Sequence, residues 1–305
     1  MHKPIRCLEA ANLIIATTVL AGCSIERLAI NSLSGILAGG NSVFERDNDP
    51  QLVAEALPFS LKLLDTLLLE QPENADLLLA AASGYVFYAY ANISSEAERV
   101  SRRDIDAARE LRGRARNLFL RAHDYALRAL ATEHPDLPTQ LFDSPTDAVQ
   151  SIESASSRTL EMLYWNAVSL GLAISSARND PALLARSGEV AALLERALEL
   201  DASWDAGALH EFAISAASLT GIDRDALDAH FDRALELSAG SRASLYVAYA
   251  EATAIPNQNR QAFVTLLEQA LAVPVGAWPE LTLVNTVAQR RATWLLGELD
   301  MLFLE

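Results

Sequence analysis

The chain has 305 residues, a formal net charge of −16 and a hydrophobic share of 51%. Nucleic-acid binding needs clustered Lys and Arg to displace condensed counterions, so no nucleic-acid partner is expected of so acidic a chain. Leu and Ala dominate, Gly and Pro are sparse and long β-branched runs are missing, which points to an all-α fold.

The N-terminus reads as an export signal. Lys3 and Arg6 precede an apolar stretch over 13–20, which ends in Leu20-Ala21-Gly22-Cys23. Eight apolar residues are too few to span a bilayer, which takes roughly 20. The expectation is a lipoprotein signal peptide over 1–22, lipidation (palmitate) at Cys23, and a lipidated tether over 23–49. Ser24 stands where an Asp would often retain a lipoprotein in the inner membrane, so outer-membrane anchoring on the periplasmic side is favoured. Cys7 leaves with the signal and Cys23 is acylated, so no disulfide and no thiolate metal site is expected.

From residue 50 the apolar residues recur every three or four positions, as in Leu57, Leu61, Leu64, Leu67 and Leu68, up to a stop at Pro72. The pattern predicts helices over 50–70, 74–99, 103–132, 146–178, 187–200, 204–219, 224–237, 241–254, 259–272 and 279–304. Arg99, Arg102, Arg103, Arg109, Arg112, Arg114 and Arg116 form a basic cluster interrupted by Glu98, Asp104, Asp106 and Glu110. At these spacings it reads as a solvated face with ion pairs one turn apart. The stretch 134–157, with Pro135, Pro138 and Pro145, is read as an inserted loop.

Ala129-Leu130, Ala197-Leu198, Ala234-Leu235 and Ala270-Leu271 recur at intervals of 68, 37 and 36 residues. Leu194-Glu-Arg-Ala-Leu-Glu-Leu-Asp201 and Phe231-Asp-Arg-Ala-Leu-Glu-Leu-Ser238 are the two best copies. A period near 34 with a small residue in the second helix is that of tetratricopeptide repeats. The predicted fold is therefore a stacked array of helical hairpins over 50–305, a tetratricopeptide-repeat-like superhelix with its final helix, 281–303, as a cap.

No catalytic fingerprint emerges. GxSxG is missing, and His123, His134, His210 and His230 show neither HxxxH nor HExxH spacing, so no enzyme, metal or cofactor is expected. The candidate ligand or partner residues are polar groups beside aromatics. Tyr85 and Tyr88 share a helix face, Trp165 and Asn166 hold a comparable position further along, and His210 lies between Trp204 and Phe212. Ordinary core packing is the favoured explanation of these residues. Asn285, Gln289 and Arg290 put polar groups on an otherwise apolar helix, where they either cap the array or line a ligand channel.

A more specific likeness rests on Asp49-Pro50-Gln-Leu-Val-Ala-Glu-Ala-Leu-Pro58, Pro72-Glu-Asn74 ahead of Tyr85 and Tyr88, and Tyr164-Trp165-Asn166-Ala167. It continues through Leu194 to Asp201, Gly207-Ala208-Leu209-His210, and Asn285-Thr-Val-Ala-Gln289-Arg-Arg-Ala292-Thr-Trp294. In these the chain resembles the T component of TRAP (tripartite ATP-independent periplasmic) transporters, a family of tetratricopeptide-repeat periplasmic lipoproteins. The resemblance implies a lipid-anchored homo-oligomer, a trimer, that engages the TRAP solute-binding protein and a small hydrophobic or carboxylated ligand. A repeat scaffold lipoprotein for outer-membrane or cell-wall assembly is the alternative reading.

Overall fold

The computed structural model describes residues 43–304, so the signal segment, Cys23 and most of the tether lie outside the described residues. Helix α1 (Pro50–Glu70) starts where the Asp49 carboxylate accepts from the Gln51 and Leu52 amides, with Pro50 at its first position. Asn74 caps α2 (Ala75–Tyr88), which runs through a π-helical turn (Ala89–Ser94) into α3 (Ser95–Val100). Asp104 caps α4 (Ile105–Glu133). Two short helices follow, α5 (Leu137–Asp143) and α6 (Pro145–Gln150), and then α7 (Ser157–Ser176), opened by a Ser156–Thr159 capping box.

The second half comprises α8 (Pro181–Leu184), α9 (Ser187–Asp201), α10 (Trp204–Thr220) and α11 (Arg224–Ser238). Helix α12 (Ala243–Tyr249) again runs into a π-helical turn (Ala250–Ala254). The chain ends in α13 (Arg260–Ala272), a 3-10 turn (Pro279–Leu281), α14 (Thr282–Leu296) and α15 (Leu299–Leu302). The described residues contain no strand, so the all-α expectation holds. The single helix expected over 146–178 is interrupted instead, because its Ser-rich stretch at 151–157 leaves the helix before Ser156 caps α7. The inserted stretch at 134–157 contains α5 and α6, each with a proline in its first turn, where a missing N–H costs nothing.

Helix α2 packs on α7, α7 on α10, α10 on α12, α12 on α14, and α14 on α1, which pairs with α2. That circuit is closed. Helices α4, α9, α11 and α13 form a second layer, each packed against members of the circuit. Leu283 at the start of α14 is buried in the same apolar cluster as Val53 and Leu57 from the other end of the described chain. Its amide also donates to the Glu45 carbonyl, 2.9 Å away. The last long helix therefore joins the first core as well as covering the end of the array.

The recurrent alanines sit where helices come closest. Ala129, Ala197, Ala234 and Ala270 are all at most 1% exposed. Gly207 adopts a φ of +92°, and a Cβ there would lie 3.1 Å from the Ala234 Cα. His123 is buried between α4, α7 and the start of α9, with an Arg186 amino group 2.9 Å from its Nε2. Arginine can only donate, so Nε2 accepts and the ring is neutral. Burial, followed by the Arg186 charge, lowers the His123 pKa to about 3.

Two outcomes follow from this packing. Ala234→Leu forces α10 and α11 apart and is expected to cost about 1–3 kcal/mol in urea unfolding, as is Gly207→Ala. The depressed His123 pKa means that the unfolded chain binds the proton first, so its contribution is complete above pH 6.5 and is lost as pH falls toward 3. Between pH 7 and 4.5 wild type should lose roughly 2 kcal/mol more than His123→Gln, read from urea midpoints at each pH.

Candidate functional site

Five of the six helices of the circuit, or the turns that extend them, contribute side chains to one polar girdle. Tyr90 comes from the π-turn after α2, Tyr164 from α7, Glu211 from α10, Glu251 from the π-turn after α12, and Arg291 from α14. A π-turn inserts one residue into a helix and re-aims those that follow, a device frequent at functional sites. Arg291 is the hub. Its Nε and one amino group bind both oxygens of Glu251 at 2.9 and 2.7 Å, and the other amino group reaches Glu98 at 2.7 Å. Burial opposes the Arg291 charge, but Tyr90, Glu251 and Glu98 more than offset it and hold the guanidinium charged.

Tyr90 sits beside the charged groups of this girdle. Burial raises its phenol pKa, with Arg291, Glu251, Glu98 and Glu211 all close enough to act on it, yet 38% of the residue is accessible. Tyr164 is similar: partly exposed, its pKa raised by burial first and then by Glu211.

A second guanidinium, Arg242, is held on the same side. It donates to the Asp205 carbonyl at 2.7 Å and to the Asp205 carboxylate at 2.9 Å, and lies 3.8 Å from Glu211 Oε2. Asp205, Ala206 and Gly207 all have positive φ (44°, 49° and 92°), a left-handed turn inside the first turns of α10. Tyr164 packs against Trp165, Trp204 and Phe212 with ring centroids 5.0, 5.2 and 6.0 Å away.

The residues singled out in the sequence occupy several places. Tyr85 is 2% exposed, donates to Asp65 at 2.8 Å and stacks on Tyr125, so it ties α1, α2 and α4 together. Tyr88 accepts from Arg114 at 3.3 Å. Asn166 is fully buried and donates to the Ala126 and Met162 carbonyls at 2.9 and 2.8 Å. His210 meets His230 with the two Nδ1 atoms 2.8 Å apart, and burial, then His230 and Arg233, lowers its pKa to about 4. Asn285 holds the start of α12, accepting from the Ala243 amide and donating to the Ser241 carbonyl, both at 2.9 Å. Gln289 donates to the Ala270, Leu271 and Val273 carbonyls that end α13, at 3.1, 3.1 and 2.7 Å.

Trp165 alone of these belongs to the aromatic group around Tyr164. Arg290 is exposed, and its neighbour Arg291 makes the interior contacts. Glu98 was read only as part of the basic cluster, and Tyr90, Asp205 and Glu251 sit in π-turns and a left-handed turn that leave no periodic trace; the roles of Glu211 and Arg242 depend on contacts between helices. The basic cluster does pair as its spacing suggests, in Arg99–Glu96 and Arg109–Asp106, while Arg102 reaches Glu298. The described residues hold no group of three or more His, Cys, Asp and Glu arranged for a metal.

Arg291→Met removes the single cation between Glu98 and Glu251 and leaves two carboxylates facing each other. Such a change is expected to cost about 3 kcal/mol or more at pH 7. Urea unfolding of the variant against wild type checks it.

A family model described as "TAtT: TRAP transporter T-component" matches residues 46–303. A protein of Treponema pallidum (strain Nichols), described as an uncharacterized protein, is 30% identical over 304 residues, covering 93% of this chain and 94% of its own length.

Proposed function

This chain belongs to the TRAP transporter T-component family, and from that membership we propose that it is a lipid-anchored periplasmic accessory protein of a TRAP system. In this reading Cys23 carries the lipid and holds the protein at the outer membrane. The helical ring, as a homo-oligomer, docks the solute-binding subunit and accommodates a small ligand in its interior. An accessory role in TRAP transport follows from the family itself.

The observation that carries the reading is the span of the match. Residues 46–303 run from the segment that meets α14 to the end of α15, so the match covers the whole closed circuit and its interior girdle. The girdle gives physical support: charged groups converging beside partly exposed aromatic rings are the kind of lining a small-molecule site uses.

Two experiments test the reading. Cys23→Ser should move the protein out of the membrane fraction and abolish incorporation of radiolabelled palmitate, since stable anchoring depends on acyl chains. Affinity capture of the full chain should recover the cognate TRAP solute-binding protein. Recovery of outer-membrane assembly factors without it would support the scaffold alternative.

A further inference from the structure

The inserted stretch 134–157 takes no part in the girdle, and its charge is of one sign. It holds Asp136, Asp143, Asp147 and Glu153 and no Lys or Arg. Buried Leu137 and Leu141 seat α5 on the core, where it packs against α4 and α6. The next residue, Phe142, is 72% exposed, and Asp143 beside it is exposed too. Arg158, which follows the stretch, pairs with Asp76 at 2.7 Å, and Arg196, which donates to the Ile152 carbonyl at 3.1 Å, pairs with Glu199 at 2.6 Å. The four carboxylates are left without an ion pair among the described residues.

A cleft of about 570 Å³ between α1 and α4 has the opposite character. Lys62, Thr66 and Leu69 line it from α1, and Arg121 and Tyr125 from α4. Its two carboxylates are already engaged. Asp65 accepts from Lys62 and from the Tyr85 and Tyr125 hydroxyls at 2.8 and 2.7 Å, while Asp124 lies 3.9 Å from Arg128. Arg121 has only a neutral partner, donating to the Tyr85 hydroxyl at 3.2 Å, and stays 4.0 Å from Asp65. Lys62, Arg121 and Arg128 thus outnumber Asp65 and Asp124 on a chain of net charge −16, and Leu69 on the same wall is 81% exposed.

We propose that the α1–α4 cleft is an interface with a second copy of this chain, which seats its Phe142 against Leu69 and its Asp143 beside Arg121. A single exposed apolar residue is ordinary. Here each of the two has charges at its side whose sign matches the other face. Aromatic residues and Arg are enriched at the centre of protein interfaces, and complementary charges fix the register. The chain itself supplies the acidic, aromatic half that the cleft lacks, which identifies the occupant. The two faces are different surfaces, so the contact is heterologous and repeats from copy to copy until a ring closes. This deepens the homo-oligomer part of the accessory-protein reading and rests on that part alone.

The test uses full-length chains. Leu69→Cys and Phe142→Cys variants are coexpressed under different tags and treated in membranes with a short bismaleimide, with the wild-type chain as the blank for its own cysteines. A link should join the Leu69→Cys chain to the Phe142→Cys chain, and neither variant should link to its like. In sedimentation of the detergent-solubilised chain, Arg121→Glu and Phe142→Ser should each raise the dissociation concentration about tenfold or more, and Arg121→Glu combined with Asp143→Arg should recover much of the loss. Phe142 is exposed, so Phe142→Ser still decides the matter should Arg121→Glu fail to fold. A monomeric wild type, like-to-like links, no link above the blank, or self-association unchanged by these variants would each overturn the proposal. So would unchanged self-association with loss of solute-binding-protein capture or of membrane attachment in Arg121→Glu, which would assign the cleft to that protein or to lipid headgroups. Failed capture by the wild type with the cross-link intact removes the accessory role and leaves the interface standing.

Discussion

The return of α14 to the first helix is the constraint on which the rest of the structure depends. A stack of helical hairpins buries each apolar face against the next, and an open stack leaves an apolar face at either end. Here Leu283 fills the first core and its amide meets Glu45, while Arg291 reaches Glu98 across nearly two hundred residues of sequence. Closure brings side chains from helices remote in sequence together, and Arg291 and Arg242, with side chains 18% and 10% exposed, meet their carboxylates where each contact counts for more than in bulk water.

That arrangement is a poor way to gain stability alone. Burying a guanidinium with carboxylates pays a desolvation penalty that the pairing roughly cancels, and apolar residues of similar size often do as well. Several of the charged groups also remain partly open: the Glu98 side chain is 40% exposed and that of Glu251 29%. Groups that are held in place by a bidentate partner yet still accessible are preorganised for something else to bind. The two π-turns fit the same account, since each gives up regular α-helical bonding to bring Tyr90 and Glu251 to the girdle.

Much of the scaffold was legible because it follows local rules. Asp49, Asn74, Asp104, Asp223 and Asn259 each accept from amides in the first turn of the helix they precede, and apolar periodicity marks the buried faces. The recurrent alanines were legible for the same reason, as close helix contacts tolerate only small residues. The site was not. Asn285 and Gln289 stood out as polar residues on an apolar helix, and their amides hold the backbone ends of α12 and α13. Arg291 lies roughly 160° around the helix from Gln289 and so points the other way, into the ring. A sequence shows that a residue is polar in an apolar setting, but which side of a helix meets backbone and which meets the interior depends on closure by α14, a contact between the two ends of the chain.

Fold and site are also coupled at the left-handed turn that opens α10. Asp205 and Ala206 occupy a conformation that costs an L-residue roughly 1–2 kcal/mol each, and only Gly207 is suited to it. The geometry persists because it is fixed from two sides. Gly207 packs against the backbone at Ala234, where a side chain would not fit, and Arg242 binds both the carbonyl and the carboxylate of Asp205. One turn of distorted backbone thus sets where Glu211 sits on the following turn, and the same Arg242 that holds the turn is the charge facing Glu211 at 3.8 Å. Strain of this sort is retained where the surroundings over-determine it. Here they do so through the close approach of Gly207 to Ala234, so one tight helix contact positions the carboxylate of Glu211.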